Sequence, residues 1–82
     1  MYTYKTKGVC ASVINIDIQD NIIKSVEFIG GCPGNLLGIT HLVKDMPVDE
    51  VIEKLQGIDC RGKNTSCPDQ LSKALIQWKQ EQ

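Results

Sequence analysis

Four cysteines, Cys10, Cys32, Cys60 and Cys67, are the residues of this chain best suited to chemistry. Four thiolates are enough for one tetrahedral metal site or one iron–sulfur cluster. The chain contains no C-x-x-C pair, so the spacing differs from that of a zinc ribbon, a zinc finger or a thioredoxin-type redox site. Free cysteine also packs as a small apolar side chain, and buried thiols without a metal remain the alternative, above all for Cys10.

The chemical interpretation is strongest for Cys32 and Cys67, because each is expected where a loop leads into a helix. Glycines flank Cys32 in the sequence GGCPGN at 30–35, which predicts unusual backbone angles or a close approach to another segment. Cys67 is predicted to begin the last helix, and a helix N-terminus favours the thiolate form. The single histidine, His41, is expected about two and a half turns into a helix and is not counted as a ligand.

Alternating apolar residues predict a β-hairpin that brings two of these cysteines together. Isoleucines alternate with polar residues over 14–19, and a returning strand is predicted over 22–28, with Asp-Asn turn residues at 20–21. The two ends of an antiparallel hairpin lie side by side. Cys10, just before the first strand, is therefore expected close to Cys32, just after the second.

The remaining pattern predicts a short N-terminal strand and three helices. Tyrosines alternate with polar residues near the start of the chain, and apolar residues recur at helical spacing over 36–43 and over 48–55, before Gly57. The last helix has a possible capping box in Ser66 and Asp69. Its predicted buried stripe is Leu71, Ala74, Leu75 and Trp78. We therefore predict a single α+β domain over 1–82, a small antiparallel sheet packed against two or three helices.

Composition excludes several classes of function. The net charge of −1 gives no electrostatic basis for nucleic-acid binding, and four aromatic residues are too few for a base-stacking surface. No apolar run approaches the roughly 20 residues of a membrane span, and the N-terminus lacks the apolar core of a signal peptide.

A cytoplasmic location is therefore expected. Thiols stay reduced in that compartment, which weighs against two disulfides.

The sequence Thr65-Ser66-Cys67-Pro68-Asp69 resembles the signature of the TSCPD family. The motif GCPGN at 31–35, together with Cys10 and Cys60, is similar to the four-cysteine pattern of that family's short members. Related domains occur near the C-terminus of vitamin B12-dependent ribonucleotide reductases. The resemblance therefore implies a link to reductase or nucleotide metabolism, but not catalysis, because 82 residues cannot hold a reductase barrel, its radical cofactor and a nucleotide site.

The order of elements is also similar to that of NifU-type iron–sulfur cluster scaffolds. That resemblance implies a scaffold-like fold with Cys10, Cys32 and Cys67 as the sulfur ligands. This chain has Ser12 where the scaffolds have an aspartate, and Ser66 where they have a histidine. Cys60 is an extra thiol that would make a closed, all-sulfur site, as structural metal sites are.

Three functions follow as hypotheses. The leading one is a small accessory domain that binds zinc through Cys10, Cys32, Cys60 and Cys67. The second is an iron–sulfur cluster scaffold or carrier that uses the same thiols, with a cluster-assembly protein as partner. The third is a thiol redox partner of a reductase, acting through Cys60 and Cys67.

Overall fold

The computed structural model of the chain describes residues 1–31, 33–59, 62 and 64–82. The elements follow in the order β1 (Tyr2–Lys5), β2 (Ala11–Gln19), β3 (Ile22–Gly30), α1 (Pro33–Val43), α2 (Val48–Leu55) and α3 (Cys67–Gln80). Three antiparallel strands in the order β1-β2-β3 form the sheet; α1 packs against β3, α3 against β2, and α2 against α3. This α+β architecture confirms the fold class predicted from the sequence.

The β2–β3 hairpin forms where the alternating pattern predicts it. Its two-residue turn is Asp20-Asn21, and both residues have positive φ angles of 55° and 63°. Aspartate and asparagine tolerate this left-handed conformation better than most residues do, and two such residues match the twist of a tight hairpin. The register runs from Gln19 opposite Ile22 at the turn to Ala11 opposite Gly30 at the open end.

The two faces of the sheet differ sharply in polarity. On the outer face a ladder of polar side chains crosses all three strands: the Thr3 hydroxyl donates to Asn15 over 2.8 Å, and the Asn15 amide donates to Glu27 over 3.3 Å. The inner face carries the buried residues Ile14, Ile16, Ile23 and Val26, which pack against the helices in one core. A sheet with one wet face and one apolar face needs a single covering layer, and the helices supply it.

The helices bury the stripes that their spacing predicts, with one exception. In α3, Leu71, Ala74 and Leu75 are fully buried and Trp78 packs partly against the core. In α1, Leu36 and Val43 are buried, whereas the side chain of Leu42, another apolar residue of the 36–43 segment, is 75% exposed. A helix buries only part of its circumference, and Leu42 lies outside the stripe of α1 that buries Leu36 and Val43.

Two further predictions about the helices are confirmed: the end of α2 before Gly57 and the position of His41 in α1. Gly57 follows α2 with a φ of +85°, the conformation for which glycine is favoured after a helix. His41 lies exposed in the last turn of α1, away from the helix start, as expected. Within the described part of the chain, no helix combines the length and the apolar character that a membrane crossing requires.

Candidate metal site

The four cysteines differ in how much the structure says about them. Cys10 is an exposed free thiol immediately before β2, and Cys67 is a half-buried free thiol at the first position of α3. Cys32 and Cys60 lie outside the described residues, so the predicted convergence of four sulfurs stays a prediction. The described neighbours of all four residues show which segments carry them and where those segments meet.

The glycines before Cys32 bring the end of β3 against the segment that carries Cys10. Gly30 and Gly31 both have a φ of +85°, and Gly30 pairs with Ala11. A Cβ on Gly30 would lie 3.4 Å from the Cys10 carbonyl oxygen, and one on Gly31 would lie 3.2 Å from the Ala11 nitrogen. The unusual backbone angles and close approach predicted for these glycines are therefore confirmed, and the approach is to the Cys10 segment.

Gly34, the third glycine around Cys32, does not share this role. It lies in the first turn of α1, and a Cβ there would have no neighbour within 4 Å. The prediction of unusual geometry is wrong for Gly34, because a helical backbone carries any residue and the space beside it is open.

A β-bulge next to Cys10 fixes the direction in which β2 begins. The register shifts between Ala11 and Val13, which leaves Ser12 as an extra residue on β2. The Ser12 hydroxyl donates to the Ile29 carbonyl over 3.1 Å, and the Thr6 N–H donates to the Ser12 carbonyl over 3.1 Å. Bulges of this kind redirect a strand and are frequent beside functional sites. Ser12 thus links the start of β2, next to Cys10, to Ile29 and to Thr6.

The loop between β1 and β2 reaches the start of α3. The Lys7 N–H donates to Oε1 of Gln70 over 3.0 Å, and a Cβ on Gly8 would lie 3.4 Å from Cγ2 of Thr65. Cys10 is the last residue of this loop, and Cys67 lies between Thr65 and Gln70 in the sequence. The segments carrying the two described cysteines therefore meet at one end of the molecule.

Four residues around Cys67 form what we call the polar anchor: Thr65, Ser66, Asp69 and Gln70. All four are buried, with exposed fractions between 3% and 8%. The Gln70 amide donates to the Thr65 hydroxyl over 2.9 Å, and that hydroxyl donates to the Asp69 carboxylate over 2.7 Å. Buried polar groups cost free energy unless they are paired, and among the described residues no buried side-chain nitrogen or oxygen lacks a hydrogen-bond partner.

The capping box predicted for Ser66 and Asp69 forms only in part. Ser66 is the N-cap of α3, and its hydroxyl oxygen accepts from the Asp69 N–H over 3.1 Å. The Asp69 carboxylate does not return to Ser66. It accepts instead from the Gly57 N–H over 2.7 Å, while the Ser66 hydroxyl donates to the Ile58 carbonyl over 2.6 Å. The loop after α2, which leads to Cys60, therefore forms hydrogen bonds with both side chains, and these bonds hold it against the start of α3.

The carboxylate of Asp69 is kept ionised by these donors. Burial raises the pKa of Asp69, but the Gly57 N–H, the Thr65 hydroxyl and the Lys73 ammonium outweigh that effect and hold it below the ordinary value of 3.8. The Lys73 Nζ lies 3.2 Å from Asp69 Oδ2. A negative charge in the first turn of a helix is also favoured by the helix dipole.

Sequence reasoning missed the partners of Thr65, Asp69 and Gln70. One signal for Gln70 was available: it lies four residues before Ala74, so helical spacing places it on the buried face. A polar residue at such a position must find a partner. The identity of that partner, the Lys7 backbone, was not readable, because 63 residues separate the two in the chain.

The described residues supply part of the predicted donor set. Within 1–31, 33–59, 62 and 64–82, no three His, Cys, Asp or Glu side chains form a group able to hold a metal ion. That range contains Cys10 and Cys67. Thiolates are good ligands for zinc and iron, and of these two thiols Cys10 is exposed and Cys67 is half-buried. The residues present are therefore compatible with a thiolate metal site.

Comparison with known proteins places the chain in a family. The family model described as the TSCPD domain matches residues 2–79. No curated protein and no solved structure gives a significant match, so the similarity to NifU-type scaffolds stays a prediction. With nearly its whole length matched, the chain belongs to the TSCPD domain family.

Proposed function

We propose that this TSCPD-family protein is a small metal-binding accessory domain. Its ligands are Cys10, Cys32, Cys60 and Cys67, and zinc is the leading candidate for the metal. The observation that carries the proposal is the contact between the β1–β2 loop and the start of α3, made by the Lys7 N–H and Gln70 over 3.0 Å. It brings a cysteine-bearing loop from one end of the chain to a cysteine-bearing helix from the other.

The surrounding backbone supports a site of more than two thiols. Gly30 and Gly31 approach the Cys10 segment immediately before Cys32 in the sequence. The Gly57 N–H donates to Asp69 shortly before Cys60. In the sequence, each of the four cysteines is therefore no more than three residues away from a residue that makes one of these contacts. Zinc bound by four thiolates acts as a cross-link, and its binding free energy adds to the folding free energy of a small domain.

The proposed role is accessory rather than catalytic. TSCPD-type domains occur near the C-terminus of vitamin B12-dependent ribonucleotide reductases, and we propose a reductase or another enzyme of nucleotide metabolism as the partner. A sheet of three strands with three helices, formed by 82 residues, leaves no room for a reductase barrel. The protein would bind to such an enzyme or stabilise a part of it. We propose the cytoplasm as its location.

A second candidate, an iron–sulfur cluster scaffold or carrier, is favoured by the exposure of the thiols. Cys10 is exposed and Cys67 is only half buried. Structural zinc sites are closed, whereas a site that releases its contents needs an accessible ligand. A cluster-assembly protein would be the partner in that case. The third candidate, thiol redox exchange between Cys60 and Cys67, requires no metal.

Metal analysis of protein purified without oxygen separates the three candidates. One zinc per chain supports the leading proposal, iron with acid-labile sulfide supports the cluster carrier, and metal-free protein with four titratable thiols supports redox exchange. Cys10→Ser and Cys67→Ser should each lower the metal content. His41→Ala is the matched control, because His41 is exposed at the far end of α1. Equal metal content in all three variants would refute a thiolate site.

A further inference from the structure

The polar anchor connects three separate segments of the chain, which is more than a helix cap requires. Gln70 binds the loop before Cys10 through the Lys7 N–H. Asp69 binds the loop before Cys60 through the Gly57 N–H. Both residues belong to the first turns of α3, which begins with Cys67. A cap requires only the bond between Ser66 and Asp69.

We propose that Gln70 is a positioning residue for the cysteine site, holding the Cys10 segment against the start of α3. This inference rests on the proposed thiolate site and adds a residue that is not itself a ligand. Gln70 is 3% exposed, and each end of its amide has one partner: Oε1 accepts from Lys7 and Nε2 donates to Thr65. A buried amide with both ends bonded has a single orientation, and so fixes the distance between the two segments it joins.

Asp69 acts as the second support in the same arrangement. Its carboxylate accepts a hydrogen bond from the Thr65 hydroxyl, and that hydroxyl accepts one from the Gln70 amide. The orientation of Gln70 therefore depends on Asp69 through Thr65. The Gly57 N–H and the Lys73 ammonium occupy the remaining carboxylate positions. Groups hydrogen-bonded directly to metal ligands change metal affinity by roughly 10- to 100-fold when they are removed. Gln70 acts one step further out, through the Lys7 backbone, so its effect is expected near the lower end of that range.

Gln70→Met is the sharpest test, because it keeps the length and approximate volume of the side chain and removes both hydrogen bonds. The matched control is Ser72→Ala. Ser72 is also fully buried in α3, but its hydroxyl donates to the Asp69 carbonyl within the same helix, over 2.6 Å, and connects no second segment. Asp69→Ala is the second variant, should Gln70→Met fail to fold.

Two readouts separate positioning from general stability. The first is the zinc dissociation constant, measured by competition with a chromophoric chelator on protein that circular dichroism shows to be folded. The second needs no metal. In the background Cys32→Ser/Cys60→Ser, only Cys10 and Cys67 carry thiols, and a short bis-maleimide cross-links them in proportion to the time they spend close together.

We expect Gln70→Met to weaken zinc binding roughly 10-fold or more and to reduce cross-linking, while Ser72→Ala changes neither. Equal values for Gln70→Met and Ser72→Ala in both readouts would overturn the inference while leaving the metal site intact. If the unmodified protein binds no zinc, the proposed function fails, and cross-linking decides alone: reduced cross-linking in Gln70→Met still supports positioning, and unchanged cross-linking refutes it.

Discussion

Replacing Ser66 by alanine should destabilise the protein through two hydrogen bonds from one hydroxyl. The hydroxyl oxygen caps α3 at the Asp69 N–H, and the hydroxyl proton goes to the Ile58 carbonyl. Loss of an N-cap costs typically about 1 kcal/mol, and a hydrogen bond to a backbone carbonyl contributes about another 1 kcal/mol net. Ile58 is 41% exposed, so water is able to replace part of the second bond. The expected loss is about 1.5 to 2 kcal/mol in the free energy of unfolding.

For a domain of this size, that loss lowers the melting temperature by roughly 6 to 16 °C. Urea unfolding followed by circular dichroism measures the free energy directly. Ser72→Ala, in the same helix, is the control: the Asp69 carbonyl keeps its helical partner and alanine is the better helix former, so its cost should stay below about 1 kcal/mol. A Ser66→Ala variant no less stable than Ser72→Ala would show that the residue is not the cap that the geometry indicates.

Three further predictions concern the glycines, the acid limit and the metal. Gly31→Ala should lower the free energy of unfolding by about 2 kcal/mol, because the φ is +85° and the new Cβ would lie 2.6 Å from Cδ1 of Leu36. Gly34→Ala places its Cβ in open space and should be neutral or stabilise the protein by up to about 0.5 kcal/mol. Thermal melts of the two variants test this difference. Asp69 has a pKa below 3.8 in the folded state, so the unfolded state binds more protons near that pH. The stability that ionised Asp69 contributes is complete above pH 3.8 and is lost as the pH falls through the folded-state pKa. In urea titrations the Asp69→Asn variant should therefore lose less stability than the unmodified protein between pH 5 and pH 3. On zinc-loaded protein a strong chelator should lower the melting temperature sharply, since structural zinc adds on the order of 10 kcal/mol to folding, and an unchanged melt would indicate a site for transient cargo instead.

Local pattern was sufficient for the parts of the fold that depend on neighbouring residues. The Asp20-Asn21 turn, the alternation on β2 and the buried stripe of α3 all follow from side-chain spacing over a few residues. The predicted close approach of Gly30 and Gly31 to another part of the chain is also confirmed. This approach was predictable because two consecutive glycines cost conformational entropy on folding and so suggest a backbone position that other residues do not fit.

The sequence motifs mark the four cysteines as candidates, but they do not predict the hydrogen bonds found around Cys10 and Cys67. Nothing local distinguishes a capping box from the arrangement found, in which Asp69 turns to the Gly57 N–H; that choice depends on where the loop after α2 arrives. The bulge at Ser12 is equally invisible in an alternating sequence, because it depends on the register with β3. Contacts between segments far apart in the chain are decided by packing, which periodicity does not describe.

Protection of the thiols by metal tests the central claim most directly. Metal-free protein is titrated with zinc, alkylated briefly at neutral pH, and the modified residues are mapped by mass spectrometry. A single four-thiolate site predicts that Cys10, Cys32, Cys60 and Cys67 become protected together and that protection is complete at one zinc per chain. Protection of only some of these cysteines, or none, at full zinc occupancy would contradict the account.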